Sequence, residues 1–221
     1  DEPSKNTAIQ SHLLALLLLL ASMAKDIENL LDFISFTHDI RSVKRAMWVK
    51  GEKSYENDSE HSYQIAMTAM YIIEERQLSL NIFRCMALAL VHDVVEVYTG
   101  DTHTFGTQES IDSKSNRELA ARKLLNKKWP NLTLMHALID EYEAKETAES
   151  RFVYALDKLV PILNNYLDDG RNWKKDHISL QDHVENKSKK VAIDSVVEEY
   201  YQDIMKILED RPDLFPQADN I

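Results

Sequence analysis

The segment LVHDVVEVYTGDT, residues 90–102, places several ionisable side chains in an otherwise apolar stretch. His92, Asp93 and Glu96 are interspersed with valines, and Asp101 follows a glycine. Charges in a buried segment are costly unless something compensates for them, and a bound metal ion is the commonest compensation. On a helix His92 and Asp93 would lie about 100° apart, so both could reach one ion beside it, and Glu96 would lie on nearly the same side as His92.

Further ligands must come from elsewhere in the chain, and His61 and Asp157 are the leading candidates. His61 lies in ENDSEHS at the start of an apolar helical pattern, and Asp157 lies in ALDKLVP within another. Pro161 has no N–H to donate to the carbonyl of Asp157, so an irregular backbone is predicted beside this residue. Taken singly, His61 could be a core histidine and Asp157 an ion-pair partner of Lys158. Together with the adjacent histidine and aspartate above, they predict a metal site.

The composition predicts one all-α domain with a substantial core, because 221 residues include only four glycines and five prolines. The 37 acidic and 26 basic residues give a formal charge of −11, which argues against binding a nucleic acid polymer. A small phosphorylated ligand is compatible with this charge if a cation screens it. The single cysteine, Cys85, lies in an apolar helical pattern and is predicted to be a core residue, which favours a reduced, cytoplasmic protein.

Apolar residues at three- and four-residue spacing predict a series of helices, and no run alternates with the period of a strand. The first helix is predicted from Asp26 to about Trp48, and the next has Asp58 or Ser59 as its N-cap. Asn81 is predicted to cap a helix that continues through the opening segment to Gly100. Later helices are predicted at about 115–129, from Thr133, from Thr147 with a break or bend at Pro161, and after a loop at 168–179.

The apolar run LLALLLLLASMA, residues 13–24, is similar to the core of a signal peptide. Its flank carries two acids and one lysine instead of a basic cluster, and the run is shorter than the ~20 residues of a membrane span. We therefore expect no membrane segment but a helix that packs on the body or on a second subunit, in a homodimer. The predicted organisation is an extension at 1–25, one domain at 26–215 and a tail at 216–221.

The ordered set of His61, the pair His92 and Asp93, and Asp157 resembles the HD-domain superfamily of metal-dependent phosphohydrolases. The resemblance extends beyond these residues. Four segments and their spacing are similar to the 5′-nucleotidase-like branch of that superfamily, over about residues 26–186: ENDSEHS, LVHDVVEVYTGDT, EYEAKETAESRF and ALDKLVPILNNYLDDGRNW.

The resemblance implies a single helical HD-domain bundle and assigns roles to seven residues. The implied metal ligands are His61, His92, Asp93 and Asp157. Glu96 and Asp101 are implied to be catalytic acids or partners of the ligands, and Arg45 to contact phosphate. Lys44 or Lys50 could serve in place of Arg45.

The residue types suit this chemistry on their own terms. Two imidazoles and two carboxylates suit a divalent Mn, Fe, Co, Ni or Zn ion better than Mg, which prefers oxygen ligands. The ion would lower the pKa of a water molecule that Glu96 orients or deprotonates. Asp101 could protonate the departing alkoxide or hold the sugar, and Arg45 could bind phosphate charge.

The predicted reaction is release of phosphate from a nucleoside 5′-monophosphate, and the expected preference for deoxynucleotides comes from the resemblance alone. The ligand motifs bring few basic neighbours, Lys158 and Arg45, whereas a triphosphate would recruit several. A triphosphohydrolase and a phosphodiesterase are the alternatives among enzymes. A domain that binds a metal or nucleotide without turnover, and a helical interaction module with residues 13–20 as a dimer seam, are the alternatives outside that class.

The remaining candidates are predicted to be structural. Trp173 is expected to pack a loop against the core, and His38 has no evident partner in the sequence. The other histidines predicted to be at the surface or structural are His103, His136, His177 and His183.

Overall fold

The computed structural model describes residues 22–101 and 108–217, apart from the side chains at 108 and 110–112. By its internal contacts the chain divides into one unit that ends at Asp39 and a second that begins at Ile40. Helix α1 covers residues 22–40 and has an exposed apolar face made of Met23, Ile27, Leu30, Leu31 and Ile34. The predicted packing helix at residues 13–24 lies outside the described residues except for its last three positions, and the alternative dimer seam at 13–20 lies wholly outside them.

A two-stranded antiparallel hairpin opens the second unit. Strand β1 (Lys44–Trp48) pairs with β2 (Tyr55–Asn57), with Lys44 opposite Asn57 and Trp48 opposite Tyr55. The prediction that the first helix ends near Trp48 is therefore wrong. The strands are stabilised by distant parts of the chain, since the Trp48 amide donates to Asn172 Oδ1 at 3.3 Å and the Arg171 guanidinium lies 4.4 Å from the Trp48 ring centroid. Contacts of such sequence separation leave no local periodic pattern.

Helices form nearly all of the rest of the described second unit, which confirms the all-α class. In chain order they are α2 (Asp58–Glu75), α3 (Ile82–Val91), α4 (Glu96–Thr99), α5 (Gln108–Lys128), α6 (Thr133–Ala144), α7 (Ala148–Leu167), α8 (Arg171–Lys175), α9 (Leu180–Val191) and α10 (Ser195–Glu209), followed by a 3₁₀ turn (Pro212–Leu214). Among the described residues, none of these helices combines the length and apolar character needed to cross a membrane.

Helix α7 is the central helix of the second unit. It packs against α2, α3, α6, α9 and α10. Its apolar residues are buried on most sides of the helix, as expected for a helix surrounded by others: Phe152, Val153, Ala155, Leu156, Leu159, Val160 and Ile162. Cys85 packs in the same core, which confirms its predicted structural role, and burial raises the pKa of its thiol to about 12.

Several helix boundaries follow the predicted capping residues. Asn81 caps α3, Thr147 caps α7 and α6 begins at Thr133, as predicted. The N-cap of α2 is Asn57 instead of Asp58 or Ser59, and its side chain forms a capping box with Glu60.

Other boundaries differ from the prediction. Helix α3 ends at Val91 instead of continuing to Gly100, and residues 92–95 form a turn before α4. Helix α7 continues through Pro161, so of the two predicted alternatives the break is wrong, and the bend stays a prediction. The neighbouring helices around α7 hold this region in place, which overrides the cost of the missing hydrogen bond. The predicted loop at 168–179 contains the short helix α8.

The chain turns sharply at Gly170, between α7 and α8. Its φ is +65°, and its amide donates to the carbonyl of Asn165 at 2.9 Å. A Cβ atom at this position would lie 1.9 Å from the carbonyl oxygen of Leu214. Only glycine fits both the left-handed backbone and this close approach.

Candidate active site

His61, His92 and Asp157 come together where α2, α3 and α7 meet, and one ligand atom from each lies within 4.8 Å of the others. His61 is in the first turn of α2, His92 directly follows α3, and Asp157 is midway along α7. The Nε2 atom of His61 lies 3.0 Å from Oδ1 of Asp157. Burial lowers the pKa of His61 to about 4, so its ring is neutral at neutral pH, as a metal ligand must be.

The ring of His92 is oriented by the backbone. Its Nδ1 donates to the carbonyl of Ala89 at 2.8 Å, which leaves the Nε2 atom beside two carboxylates. This Nε2 lies 2.9 Å from Oδ2 of Asp93 and 3.9 Å from Oδ1 of Asp157. Burial opposes a charge on the ring, but Asp93 and then Asp157 raise the pKa of His92 above its ordinary value. Asp93 and Asp157 thus favour a positive charge next to Nε2 of His92. The imidazole nitrogens and carboxylate oxygens gathered here fit a divalent transition metal ion.

Asp157 is held by two neighbours on the side away from His61. Its Oδ2 accepts hydrogen bonds from the Tyr142 hydroxyl, at 2.9 Å, and from Nζ of Lys158. Burial opposes ionisation, but the charge of Lys158 and the hydrogen bond with His61 hold the pKa of Asp157 well below its ordinary value. Outer contacts of this kind orient a ligand carboxylate, so pairing with Lys158 is compatible with a ligand role for Asp157.

Asp93 and Glu96 lie in a second cluster with Asp58, again with one oxygen from each within 4.8 Å of the others. The three side chains meet because residues 92–95 form a turn, not because they share one face of a continuous helix. Burial, and then the negative charges of Asp93 and Asp101, raise the pKa of Glu96 well above its ordinary range. Burial and the charge of Asp93 raise the pKa of Asp58 to about 7.

Arg45 on β1 reaches into this acidic cluster. Its Nη1 lies 2.9 Å from Oδ2 of Asp93 and 3.2 Å from Oδ1 of Asp58, and its Nε lies 3.4 Å from Oε2 of Glu56. The guanidinium group therefore already compensates the carboxylates of the second cluster. Lys44 and Lys50, the alternatives to Arg45, are exposed at the surface.

One cavity borders both the first cluster, His61, His92 and Asp157, and the second cluster, Asp58, Asp93 and Glu96. Its wall includes Arg45, Asp93, Glu96, Asp101 and Asp157, so five of the seven predicted site residues line one space. Its lining also includes residues of the hairpin, α7, α8, α9 and the loop between α8 and α9, among them Met47, Asn165, Asn172, Ile178 and Lys187.

The cavity contains more positive charge than the sequence motifs indicated. Lys114 and Lys187 line it together with Lys158 and Arg45, and Lys190 lines an adjoining cavity. The premise that the site has few basic neighbours is therefore wrong. These lysines come from α5 and α9, outside the segments that carry the resemblance, and only the folded chain brings them to the site.

The sequence of residues 37–197 matches the family described as HD domain, which accounts for more than half of the chain. The chain belongs to the HD-domain family. In this HD domain the adjacent His92 and Asp93, which carry the family resemblance, belong to different clusters of ligand-type side chains: His92 to the cluster with His61 and Asp157, and Asp93 to the cluster with Asp58 and Glu96.

Curated relatives of this HD domain are 5′-deoxynucleotidases. The human 5′-deoxynucleotidase HDDC2 is 34% identical over 140 residues, which cover 61% of this chain and 66% of the human protein. The Xenopus laevis protein of the same name is 36% identical over 141 residues, which cover 62% of this chain and 67% of the frog protein. The aligned region thus spans about two thirds of the length of these relatives.

Solved structures share the architecture. A predicted metal-dependent phosphohydrolase from Magnetospirillum magnetotacticum superposes with a TM-score of 0.74 at 27% identity, covering 86% of this chain and 96% of the other. An HD-domain phosphohydrolase from Listeria innocua has a TM-score of 0.56 at 18% identity, covering 84% of this chain and 92% of the other, and supports the fold alone.

Sequence reasoning missed several neighbours of the site in this HD domain. Glu56 and Asp58 belong to the ENDSEHS segment, and Tyr142 belongs to EYEAKETAESRF, but no local pattern marks them as partners of Arg45 and Asp157. Lys187 was not singled out at all. Its signal is its spacing on α9, because Lys187 lies four positions after buried His183 and four positions before buried Val191.

The tryptophan and the histidines that were predicted to be structural lie in different surroundings. Trp173 is buried and stacks on Phe215, with ring centroids 4.9 Å apart, as expected for a core residue. His136 has the predicted structural role, since its ring contacts Arg122 and the carbonyl of Trp129. His183 is buried in the cavity wall, whereas His38 and His177 are exposed and His103 lies outside the described residues.

Proposed function

We propose that this HD domain is a metal-dependent phosphohydrolase that releases inorganic phosphate from nucleoside 5′-monophosphates and prefers deoxynucleosides. The observation that carries the proposal is the convergence of His61, His92 and Asp157 beside a cavity that is also lined by Arg45, Asp93, Glu96 and Asp101. A substrate phosphate in this cavity would lie next to both the metal group and Arg45. The 5′-deoxynucleotidase relatives support the substrate class.

In this proposal His61, His92, Asp93 and Asp157 hold a divalent ion, and Tyr142 and Lys158 keep Asp157 in position. When bound, the ion would lower the pKa of an attacking water molecule, polarise the phosphoryl group and offset the negative charge around the acids. We favour Mn, Fe, Co, Ni or Zn over Mg, because two of the proposed ligands are imidazoles.

The remaining residues act on the water and the substrate. Glu96 orients the attacking water and takes its proton, and Asp101 gives a proton to the departing 5′-oxygen of the nucleoside. Arg45 pairs with phosphate oxygens, and Asp58 and Glu56 hold its guanidinium group against the cavity. A domain that binds a nucleotide without turnover need not keep both Glu96 and Asp101, which counts against that alternative.

The proposal is tested by a substrate screen with the metal-loaded protein, in which release of inorganic phosphate is measured. We expect release from monophosphates, faster from deoxynucleotides than from ribonucleotides, and none after a chelator removes the metal. Di- and triphosphates belong in the screen because Lys114 and Lys187 add positive charge to the cavity. Cleavage of a triphosphate or a phosphodiester without release from any monophosphate would contradict the proposed reaction.

We also propose a cytoplasmic homodimer with the catalytic domain at 26–215, an extension at 1–25 and a tail at 216–221. The exposed apolar face of α1 supports an association surface near the N-terminus. Removal of residues 1–24 is expected to weaken the dimer. Light scattering that gives the same number of subunits for both forms would show that this segment does not build the oligomer.

A further inference from the structure

Two buried asparagines, Asn165 and Asn172, line the active-site cavity. They are 7% and 4% exposed and belong to α7 and α8. The backbone engages one end of each side-chain amide. Asn165 Nδ2 donates to the carbonyl of Pro161 at 2.9 Å, and Asn172 Oδ1 accepts from the Trp48 amide at 3.3 Å. Because a carbonyl can only accept and an amide N–H can only donate, these contacts fix the orientation of both amide groups.

The other end of each amide group has no hydrogen-bond partner within the part of the chain that the structure describes. These atoms are the acceptor Oδ1 of Asn165 and the donor Nδ2 of Asn172, and both are buried. Asn165 Nδ2 also lies 3.3 Å from Sδ of Met47, the residue before Trp48, so the two asparagines contact consecutive residues of β1. Unpaired buried polar atoms are unfavourable, and a ligand group that pairs with both would remove that cost.

The position of Asn165 along α7 separates it from the proposed metal group. Asp157, Pro161 and Asn165 follow one another at four-residue spacing and all line the cavity, so they share one face of the helix. Eight residues of helix span ~12 Å, which places Asn165 beyond the reach of a phosphate held beside Asp157. The nucleobase is the part of a nucleoside monophosphate that extends this far from the phosphate.

The apolar lining of the cavity also suits a nucleobase. Buried apolar side chains come from β1, α7, α8 and the loop that follows α8: Met47, Ile162, Trp173 and Ile178. Proteins recognise a base by hydrogen bonds to its polar edge while apolar side chains pack against its ring. Each of the four DNA bases carries a donor next to an acceptor on its Watson–Crick edge, which complements the acceptor of Asn165 and the donor of Asn172.

We propose that Asn165 and Asn172 are substrate-binding residues that hold the nucleobase, with Asn165 Oδ1 accepting a hydrogen bond from the base and Asn172 Nδ2 donating one to it. This assignment rests on the proposed function and adds the contacts that distinguish a nucleotide from a smaller sugar phosphate. The hairpin then has two roles, since Arg45 on β1 serves the phosphate, and Met47 and Trp48 on the same strand position the asparagines.

The test compares kcat/KM of the full-length, metal-loaded protein for 2′-deoxyadenosine 5′-monophosphate and for 2-deoxyribose 5-phosphate, which lacks the base. Asn165→Ser removes the unpaired acceptor but keeps a hydroxyl that can donate to the carbonyl four positions back. Asn172→Asp removes the unpaired donor but keeps an acceptor for the Trp48 amide. Each variant is expected to lower the ratio of the two kcat/KM values about tenfold, the effect of one lost hydrogen bond.

Two matched variants test for indirect effects. Asn164→Ser changes the neighbouring residue on α7, whose amide pairs with Gln64 on α2. Asn131→Asp adds the same charge as Asn172→Asp, but at an exposed position between α5 and α6. Both control variants should keep the wild-type ratio. Metal content and the Tm are measured on every preparation.

Equal losses for both substrates in Asn165→Ser and Asn172→Asp would overturn the assignment, because a purely structural role affects both substrates alike. A loss that disappears with the 2′,3′-dideoxynucleotide would also overturn it, since the contacts would then be with the sugar hydroxyl.

The proposed function fails separately, if the wild type releases no phosphate from any nucleoside monophosphate. Titration calorimetry with the same two compounds then gives the comparison as a ratio of dissociation constants. An unchanged ratio in both asparagine variants, or no binding of either compound by the wild type, would overturn the assignment in that case.

Discussion

His61 and His92 reach the candidate site from the helical core, whereas Arg45 reaches it from a two-stranded hairpin. The two histidines are 0% and 2% exposed, and packing and a backbone contact orient them. The side chain of Arg45 is 14% exposed, and the acids around it hold it. The metal side is therefore pre-formed by the fold, while the position of the arginine depends on charge. Substitutions on the metal side should therefore reduce metal binding, whereas substitution of Arg45 should weaken substrate binding.

The largest effect is expected for His92→Ala on the metal side. The change removes a buried donor that no neighbouring side chain can replace, so bound metal and turnover should both fall to background. Asp93→Ala should do the same. Elemental analysis of the purified variants measures the metal directly, and near-normal occupancy in either one would place the metal elsewhere.

Glu96→Gln distinguishes an effect on metal binding from an effect on the hydrolysis step. Because Glu96 is proposed to act on water without holding the ion, the variant should keep its metal and lose activity by about 10²–10⁴-fold. Steady-state rates and elemental analysis on the same preparation check both statements. Wild-type turnover in this variant would remove Glu96 from the mechanism.

Arg45→Lys tests the side of the site that is held by charge. Lysine keeps the positive charge that Asp58 and Asp93 require but loses the planar two-pronged contact with phosphate. The KM for a nucleoside monophosphate should rise by about tenfold, with metal content unchanged. Lys44→Gln, an exposed neighbour on the same strand, is the control and should leave KM unaltered. Loss of metal in the arginine variant would show that the two sides are not independent.

An effect of similar size, but on metal affinity, is expected for Tyr142→Phe, which removes one hydrogen bond to Asp157 Oδ2. Contacts that orient a ligand typically contribute 10–100-fold to metal affinity, and we expect about tenfold because Lys158 still holds the same oxygen. Competition with a fluorescent chelator measures this affinity. Tyr63→Phe, at an exposed position on α2, provides the matched control. Equal metal affinity in the two tyrosine variants would mean that Lys158 alone positions Asp157.

Local signals in the sequence were sufficient for much of the helical framework. Asn81 and Thr147 cap helices as their side-chain chemistry predicts, and the apolar spacing around α7 marks a helix. The hairpin was missed because its strands are three and five residues long and depend on contacts with Asn172 and Arg171, more than 115 positions away. The continuous helix through Pro161 was missed for a related reason, since neighbouring helices outweigh the local cost.

The sequence by itself determined the class of chemistry in this HD domain. Two histidines and several carboxylates in apolar segments require a compensating cation whatever their exact arrangement, because unpaired charges are costly in a protein interior. The order and spacing of those residues was also enough to identify the family.

Only the tertiary structure decided how the site is built around these residues. It brought Asp58 and Glu56 to Arg45, Tyr142 to Asp157, and Lys187 to the cavity. The balance of charge in the site depends on distances between residues far apart in the chain, and electrostatic interactions in a low-dielectric interior depend steeply on those distances. No local sequence pattern encodes these distances. The number of cations that line the cavity therefore follows only from the packing of the helices.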